Sequence, residues 1–497
     1  MPIPPTPAGP APDADALEPL GALHGPRPLL GLREAVTLII GVVVGAGIFK
    51  APALVAGMTA DAPWMFLAWA LGGVVSLAGA LCYAELCTAY AHPGGDYHFL
   101  QLAYGRGLAF LFGWARYAVI TTGSIALLAF VFGDYLQQVL PLPAATPALG
   151  AAAWAALAVG ALTVLNLAGL RGASLAQTGL TLLEVAALLA VAAAAALLAG
   201  APSAASTTSA AAGTGPPASF GLAMVFVLLA YGGWNEAAYI SAEVRDGRRN
   251  MVRALVLSVT LITLLYLLVA WACWHALGMA GLAASGAPAA DVVRMAFGPL
   301  GERILALLVA VSALTSINAT MIVGARTGYA LGRDWRALRW LGGWDGARGT
   351  PRVALLLQCA AALALVGLGT ALGSGFRAMV EFTAPVFWLF FLLTGIALFV
   401  LRRREPERPR PYRVPLYPLL PAVFCIACAG MLWSSLSYVS AQSLGGLNAA
   451  WIGVAVLAAG VLVLAPLLAL QAGAHTGRRV QDRRAASTET QAKENRR

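Results

Sequence analysis

Charged residues are scarce in this sequence. Asp, Glu, Lys and Arg make up 11% of its 497 residues, against 60% hydrophobic residues. A soluble domain usually has about 25% charged residues, so this chain has too little polar surface to cover a globule in water. Lipid tails accept an apolar exterior. The composition therefore excludes a set of soluble domains and indicates one membrane domain, built from apolar runs of about 20 residues.

Lysine is almost absent, since Lys50 and Lys493 are the only two, and the net charge of +10 comes from arginine. The arginines lie in short loops between apolar runs, where they fix topology by the positive-inside rule. We therefore expect no nucleic acid partner. The basic end of the chain, from Arg478 to Arg497, is expected to contact anionic membrane lipid. The alanine-rich and arginine-rich composition favours a bacterial source.

The six cysteines all lie inside apolar runs, where a buried thiol behaves as a small hydrophobic side chain. Cys425 and Cys428 form a CxxC pair with no second pair or histidine beside it. The sequence contains no HExxH, no phosphate loop with lysine and no paired intramembrane aspartates, which are motifs of membrane and metal enzymes. We expect no metal, no cofactor and no enzymatic activity.

Hydropathy predicts an all-α integral membrane protein with twelve transmembrane helices, here called spans 1 to 12. They cover roughly 34–58, 63–90, 107–140, 148–168, 173–199, 220–243, 251–277, 300–331, 352–371, 376–401, 416–438 and 448–471. The segment 93–105 is predicted to be a polar loop because Pro93, Gly94 and Gly95 are turn residues.

Arginine positions predict the orientation. If the N-terminus is cytoplasmic, the loops on that side contain many arginines, whereas the opposite, outside loops contain a single one, Arg294. These outside loops are 141–147, 200–219, 278–299, 372–375 and 439–447. The cytoplasmic set is Arg106, Arg171, Arg245, Arg248, Arg249, Arg333, Arg336, Arg339, Arg348, Arg402, Arg403, Arg404, Arg408, Arg410 and Arg413. Both termini are therefore predicted to be cytoplasmic.

Spans 1 and 6 are both interrupted by glycine near their midpoints, at Gly45-Ala46-Gly47 and at Gly232-Gly233. Each of the sets 1–5 and 6–10 contains five spans, and because five is odd the second set is predicted to repeat the first in the opposite orientation. Paired interruptions in inverted repeats are a good indicator of a binding site at the membrane midplane. The alternative is that these glycines only permit close helix packing.

Six motifs resemble those of the amino acid–polyamine–organocation superfamily, and most closely those of its L-type amino acid transporter-like permeases. They are GVVVGAGIF (41–49), HPGGDYHFLQLAYG (92–105), NLAGLRGASLAQ (166–177), AYGGWNEAAYISAEVRDGRRNM (230–251), SALTSINATMIVGARTGYALGRD (312–334) and RPYRVPLYPLLP (410–421). The resemblance covers about residues 34–420. It implies a 5+5 inverted repeat with broken helices 1 and 6, followed by two extra helices.

The resemblance also implies a function. The expected protein is a permease that moves amino acids across the bacterial cytoplasmic membrane by alternating access, either proton-coupled or by exchange, with no obligate protein partner. The expected regions are a disordered cytoplasmic tail (1–30), a transport core (31–401), spans 11 and 12 with their preceding loop (402–472) and a basic cytoplasmic tail (473–497).

The backbone at the two interruptions is the predicted substrate site. Free N–H groups begin the outer half of span 1 and suit an α-carboxylate, whereas carbonyls that end the preceding half-helices suit an α-ammonium. The predicted substrate-binding residues are Val43, Gly45, Ala46, Gly47, Ile48, Leu229, Ala230, Gly232 and Asn235. Backbone groups recognise what all amino acids share, so this prediction gives the class of substrate only.

Side chains near the interruptions are expected to set specificity. Leu229 stands where L-type relatives usually carry an aromatic gate, and Asn235 either binds the substrate or fixes the unwound loop. Ser124 and Ser316 are candidates for lining the cavity, with helix-to-helix hydrogen bonding as the alternative.

Acidic residues inside the spans are the candidates for coupling. Glu184 lies in the middle of span 5, where many sodium-independent relatives have a lysine. An intramembrane carboxyl is a functional candidate by default; it can carry a proton, attract a cationic substrate or pair with a cation. Glu236 is the second candidate, whereas Glu85 and Glu243 are expected to pair with loop arginines. Lys50 is expected to snorkel or to balance an acid.

Three alternatives remain. An intramembrane enzyme would need catalytic motifs that the sequence lacks. A channel would need a continuous polar lining, which the apolar spans do not provide. A polyamine or organic-cation transporter of the same fold is favoured by Glu184 and Glu236.

Overall fold

The computed structural model describes residues 30–59, 61–92, 94–144, 146–168, 174–198, 219–241, 244–345, 350–373, 375–441 and 451–466. The predictions for the two tails therefore concern residues that lie almost wholly outside this set. Those for Arg171, Glu243 and Arg348 also fall outside it.

Helices account for the regular structure of the described residues, where β pairing is limited to two isolated bridges, Leu30 with Val244 and Asp345 with Thr350. The helices are α1 (Leu32–Val43), α2 (Ala51–Thr59), α3 (Ala62–Ala89), α4 (Gly95–Tyr104), α5 (Arg106–Ala115), α6 (Thr122–Val139), α7 (Pro147–Ala168), α8 (Ser174–Leu197), α9 (Phe220–Ala230), α10 (Ala237–Ile240), α11 (Gly247–Ala284), α12 (Pro288–Asp334), α13 (Arg352–Ala371), α14 (Gly375–Arg404), α15 (Leu419–Ala441) and α16 (Trp451–Pro466).

Eight of the described helices are long and apolar enough to cross a membrane. They are Ala62–Ala89, Arg106–Val139, Pro147–Ala168, Arg249–Ala284, Pro288–Asp334, Arg352–Ala371, Gly375–Arg404 and Leu419–Ser437. Shorter apolar helices cover Thr181–Leu197, Phe220–Ala230 and Trp451–Pro466. The predicted all-α membrane architecture is confirmed, while the count of twelve spans remains a prediction.

Span 1 is the pair α1 and α2, joined by a 3-10 segment at Ala46–Phe49. Span 6 is α9 and α10, joined by a 3-10 segment at Trp234–Glu236. Span 3 is continuous from α5 to α6 through a π-helical segment at Arg116–Thr121. Both predicted interruptions are therefore real ends of helices.

The prediction of a loop over 93–105 was wrong for residues 95–104, which are helical. Residues 95–104 form α4, in which Phe99, Leu100 and Ala103 are fully buried. Gly95 has a φ of +46°, so the glycine provides a left-handed turn at the start of the helix. The turn signals were correct for the entry to α4, but burial of its apolar face makes the rest helical.

The region 278–299, predicted as an outside loop, is also mostly helical. α11 bends at Gly278 and ends at Ala284, and α12 begins at Pro288 and bends at Gly298, which precedes Pro299. Both bending glycines have a positive φ, +67° and +68°. Leu282 is buried in the stretch after the first bend, and Ala289, Ala290, Val292 and Val293 are buried in the stretch before the second. A hydropathy window for spanning helices does not detect stretches this short.

Glu85 connects α3 to the loop that follows α14. Arg402 Nε donates to Glu85 Oε1 at 2.7 Å, and the Val414 N–H donates to Oε2 at 2.7 Å. Arg410 Nε lies 3.6 Å from Oε1, and Glu85 itself is 1% exposed. The predicted pairing of this acid with loop arginines is confirmed.

We predict that Glu85→Gln destabilises the fold, because the change leaves Arg402 and Arg410 beside a neutral group in a buried site. The cost of breaking a buried pair is about 3 kcal/mol or more, which corresponds to a fall on the order of 5 °C in apparent melting temperature. Thermal unfolding of the purified protein in detergent measures this fall. Glu405→Gln is the control, because its pair with Arg408 is exposed; an equal fall in both variants would contradict the prediction.

Candidate functional site

The first break follows Val43. The Val44 N–H closes α1 by donating to the Ile40 carbonyl at 2.7 Å, and Gly45 then takes an extended conformation. The next helix starts at Ala46, and the first N–H groups of a helix have no acceptor within it. The Ile48 N–H reaches the Gly45 carbonyl at 3.4 Å. The N–H groups of Ala46 and Gly47 therefore form the donor end of the outer half-helix.

The second break follows Ala230. The Gly232 N–H donates to the Leu229 carbonyl at 3.0 Å, and Gly233 has a φ of +113°. The Glu236 N–H then donates to the Gly233 carbonyl at 3.0 Å, which starts the inner half of span 6. This left-handed conformation is one that glycine adopts without strain.

The two breaks are in contact. A Cβ atom built on Gly233 would lie 3.1 Å from the carbonyl oxygen of Val42 in α1. Only a glycine lets the two chains approach this closely with this backbone conformation. The broken parts of spans 1 and 6 therefore form one continuous unit rather than two separate irregularities.

Tyr266 of α11 bridges the breaks. Its hydroxyl lies 3.0 Å from the Val43 carbonyl oxygen and 3.1 Å from the Ala230 carbonyl oxygen. The residue is fully buried and packs against Tyr231 and Trp69. A carbonyl has two lone pairs, so both carbonyls retain an acceptor position while Tyr266 holds them in place.

Open space lies beside the donor end of the first break. A Cβ built on Gly47 would meet no atom within 4 Å, and one built on Gly45 would first meet Ser316 Oγ at 4.0 Å. Phe387 of α14 lies near the second break, 3.8 Å from a Cβ built on Gly232. The two contacting breaks therefore present backbone donors, backbone acceptors and a nearby aromatic ring, which suits a small ligand with an anionic and a cationic end.

The side chain of Glu184 lies close to the first break. It shares a small cavity with Phe49, the last residue of the 3-10 segment, and is 5% exposed. The Ser312 hydroxyl donates to Oε1, whereas Oε2 is buried without a hydrogen-bond partner. The rest of the cavity is lined by Leu183, Ala187 and Leu308.

Glu236 is paired, unlike Glu184. Arg116 Nη2 of span 3 lies 2.8 Å from Oε2 and 3.0 Å from Oε1 of Glu236. The guanidinium also lies over the Tyr239 ring, 4.4 Å from its centroid. Tyr239 in turn donates to Asp96 Oδ2 at 3.4 Å; burial in α4, between spans 2 and 3, raises the pKa of Asp96 to about 6.

Lys50 pairs with Asp134 of α6, so it balances an acid rather than only snorkelling. The neighbouring Tyr135 hydroxyl donates to the Phe49 carbonyl at 2.9 Å and is fully buried. Trp234 packs against Tyr83, Phe391 and Phe424.

The structure brings most of the predicted site residues to the two breaks: Val43, Gly45, Ala46, Gly47, Ile48, Leu229, Ala230, Gly232 and Asn235 lie on or next to them. Leu229 is partly buried and Asn235 is 4% exposed. Ser124 is half-buried in α6, and Ser316 faces Gly45. Their roles in binding remain predictions.

Three residues at the site were missed by sequence reasoning: Tyr266, Phe387 and Arg116. A tyrosine or phenylalanine inside an apolar run carries no periodic signal that separates it from the core. Arg116 was detectable, because an arginine inside the predicted span 3 is as unusual as the acids. Among the described residues, no group of three or more His, Cys, Asp or Glu side chains is placed to hold a metal ion.

Comparison with known proteins adds independent information. Residues 30–471 match the model of a family described as "Amino acid permease". The chain is 28% identical over 389 residues to the b(0,+)-type amino acid transporter 1 of Mus musculus, covering 78% of this chain and 79% of that protein.

Two further relatives are named for other amino acid substrates. The chain is 26% identical over 420 residues to the serine/threonine exchanger SteT of Bacillus subtilis (strain 168), covering 83% of this chain and 92% of that protein. It is 28% identical over 411 residues to the large neutral amino acids transporter small subunit 2 of Mus musculus, covering 82% and 76% respectively.

We predict that Gly233→Ala lowers the stability of the protein, whereas Gly47→Ala leaves it unchanged. Alanine at 233 must adopt a positive φ and approach the Val42 carbonyl, at a cost of about 1–3 kcal/mol. Alanine at 47 meets open space, so its apparent melting temperature should match that of the unchanged protein. Thermal unfolding of both variants measures this difference, and equal melting temperatures would contradict the described backbone at the second break.

Proposed function

Because this chain belongs to the amino acid permease family, we propose that it is a secondary transporter that carries amino acids across a bacterial cytoplasmic membrane by alternating access. Its family and its relatives are transporters rather than enzymes. The bacterial exchanger among the relatives supports the bacterial membrane.

The observation that carries this proposal is the contact between the two broken helices. The N–H groups of Ala46 and Gly47 attract a carboxylate through hydrogen bonding and the helix dipole. The carbonyls of Val43 and Ala230, oriented by Tyr266, accept hydrogen bonds from an ammonium group. A zwitterion is the ligand class that satisfies both sets of backbone groups, which would otherwise be costly in a membrane.

The side chain of the substrate is recognised by the residues around the breaks. Leu229 leaves room where relatives carry an aromatic gate, and Phe387 of α14 lies close to Gly232 from another direction. An aromatic ring and a leucine favour an apolar substrate side chain through burial of apolar area. Asn235 either adds a hydrogen bond to the substrate or fixes the inner half of span 6.

Twelve spans with both termini in the cytoplasm form the proposed topology. It is supported by the alternation of arginine-rich and arginine-poor loops and by the three shorter apolar helices, which add to the eight long ones. Spans 1–5 and 6–10 are proposed to be inverted repeats, because each begins with a broken helix.

The proposed coupling residue is Glu184. Its Oε2 lacks a partner and the cavity around it is mostly apolar, so a bound proton removes the charge and supplies a hydrogen-bond donor. Release of that proton can accompany movement of the first break, whose Phe49 lines the same cavity. Exchange without proton coupling is the other proposed mode, supported by the relative that is named as an exchanger.

A polyamine or organic-cation substrate is less well supported. That alternative depended on two free carboxylates, and Glu236 is already paired with Arg116. A ligand of this kind has no carboxylate, so it would leave the N–H donors of Ala46 and Gly47 without a partner.

Uptake into proteoliposomes tests the proposal. The purified protein is reconstituted and given a panel of labelled amino acids and polyamines, with and without an inward proton gradient. We expect accumulation of at least one amino acid that is competed by others and no polyamine uptake. Polyamine uptake alone, or large single-channel currents in planar bilayers, would contradict the proposal.

We predict that Glu184→Gln abolishes any stimulation of uptake by a proton gradient, while substrate binding is retained. The amide is similar in shape and keeps the contact with Ser312 but cannot gain or lose a proton. Initial uptake rates with and without the gradient measure the effect, and Glu381→Gln in α14 is the matched control. Unchanged stimulation in the Glu184 variant would remove this residue from the coupling mechanism.

A further inference from the structure

Span 3 holds both broken helices, each through one ion pair. Arg116, in its π-helical segment, pairs with Glu236 directly after the break in span 6. Asp134, in α6, pairs with Lys50 directly after the 3-10 segment of span 1. These pairs join elements that are distant in sequence and were not part of the predicted binding site.

The two pairs lie toward opposite ends of span 3. Arg116 and Asp134 are separated by 18 positions (134 minus 116), or roughly 27 Å along a helix at 1.5 Å per residue. The hydrocarbon core of a bilayer is about 30 Å thick. One pair therefore lies on each side of the contacting breaks, with Lys50 following the first break and Glu236 following the second.

Both pairs are partly shielded from solvent. The side chains of Arg116 and Glu236 are 9% and 30% exposed, and those of Lys50 and Asp134 are 18% and 29% exposed. Removing one partner from such a site leaves a poorly hydrated charge unless water enters. Separation of a pair is therefore favourable only when the adjacent region opens to water.

Each pair also has local support that keeps it on its own side. Arg116 is stacked on Tyr239, and its Nε is buried without a hydrogen-bond partner; Asp96 of α4 faces the same cluster through Tyr239. On the other side, Tyr135 holds the Phe49 carbonyl next to Lys50. Neither pair shares a residue with the other, so one can separate while the other persists.

We propose that Arg116–Glu236 and Asp134–Lys50 are two opposed latches, of which one separates at a time to open the site between the breaks to one side of the membrane. This inference rests on the proposed transport function. Arg116 and Asp134 are positioning residues: they hold the half-helices that carry the binding groups and do not contact the substrate. Both pairs are formed in this structure.

Hydrogen–deuterium exchange of the full chain in lipid nanodiscs tests the latches without any substrate. In Glu236→Gln, we expect amides of residues 234–240 to exchange about tenfold faster or more, as loss of a shielded pair lowers local opening energies. Amides of residues 46–59 should be unchanged. Lys50→Met should give the reverse pattern, and Arg294→Gln, which removes an exposed pair on the outer side, should change neither.

Charge reversal separates a latch from a merely structural role. Arg116→Glu combined with Glu236→Arg should restore slow exchange at 234–240, whereas Arg116→Glu alone should not. Equal acceleration of both regions in each single variant, or no acceleration in either, would overturn the proposal. A variant that loses its thermal transition is replaced by Arg116→Lys, for which partial acceleration is expected and no acceleration counts against the latch.

The proposed transport function is tested by a different measurement, which is uptake into proteoliposomes. If the unchanged protein takes up no amino acid in proteoliposomes, the proposed function is wrong even when the exchange patterns appear. If uptake is present and the exchange patterns are absent, the function stands and the latches are wrong.

Discussion

Backbone polar groups inside a membrane must find partners, because no water is present to replace them. Spans 1 and 6 depart from this constraint at their midpoints, and much of the surrounding structure compensates for it. Gly233 lets the two breaks touch, the Tyr266 hydroxyl shares its one proton between a carbonyl from each break, and the Tyr135 hydroxyl donates to the carbonyl of Phe49. The backbone groups that remain available are N–H donors at Ala46 and Gly47 and acceptor positions at Val43 and Ala230. The proposed amino acid ligand, which carries both charges, would complete the pairing.

The few charged side chains inside this apolar chain also have specific partners. Glu85 holds the loop after α14, Glu236 meets Arg116, and Asp134 meets Lys50. Each of these pairs connects separate helices, so each restricts how the spans move relative to one another. Glu184 differs, because its contacts are a serine hydroxyl and apolar side chains. An acid without a cationic partner can respond by gaining or losing a proton, so the proposed coupling is assigned to Glu184. An ion pair can respond by separating, so the proposed latches are assigned to the pairs.

The main features of the fold and the location of the breaks could be predicted from the sequence, because hydropathy and glycine pairs are local signals. The helical nature of 95–104 and 288–297 could not, since it depends on burial against other elements rather than on length. The same limit applies to the site. The residue type alone identifies the candidate break positions, which are Gly45, Gly47, Gly232 and Gly233. The role of Tyr266 depends instead on its position beside two carbonyls that are 36 and 223 positions away in the sequence.

The central claim is that the donor end at Ala46 and Gly47 binds the carboxylate of an amino acid. The most direct test is equilibrium binding of a transported amino acid to Gly47→Val, with Gly160→Val in α7 as the control, because a Cβ at either position meets open space. We predict that Gly47→Val keeps its melting temperature but loses affinity by about tenfold or more, because one weakened charge-assisted hydrogen bond is worth about 1.5–3 kcal/mol. The Gly160→Val control should bind normally. Unchanged affinity in a folded Gly47→Val protein would contradict the account.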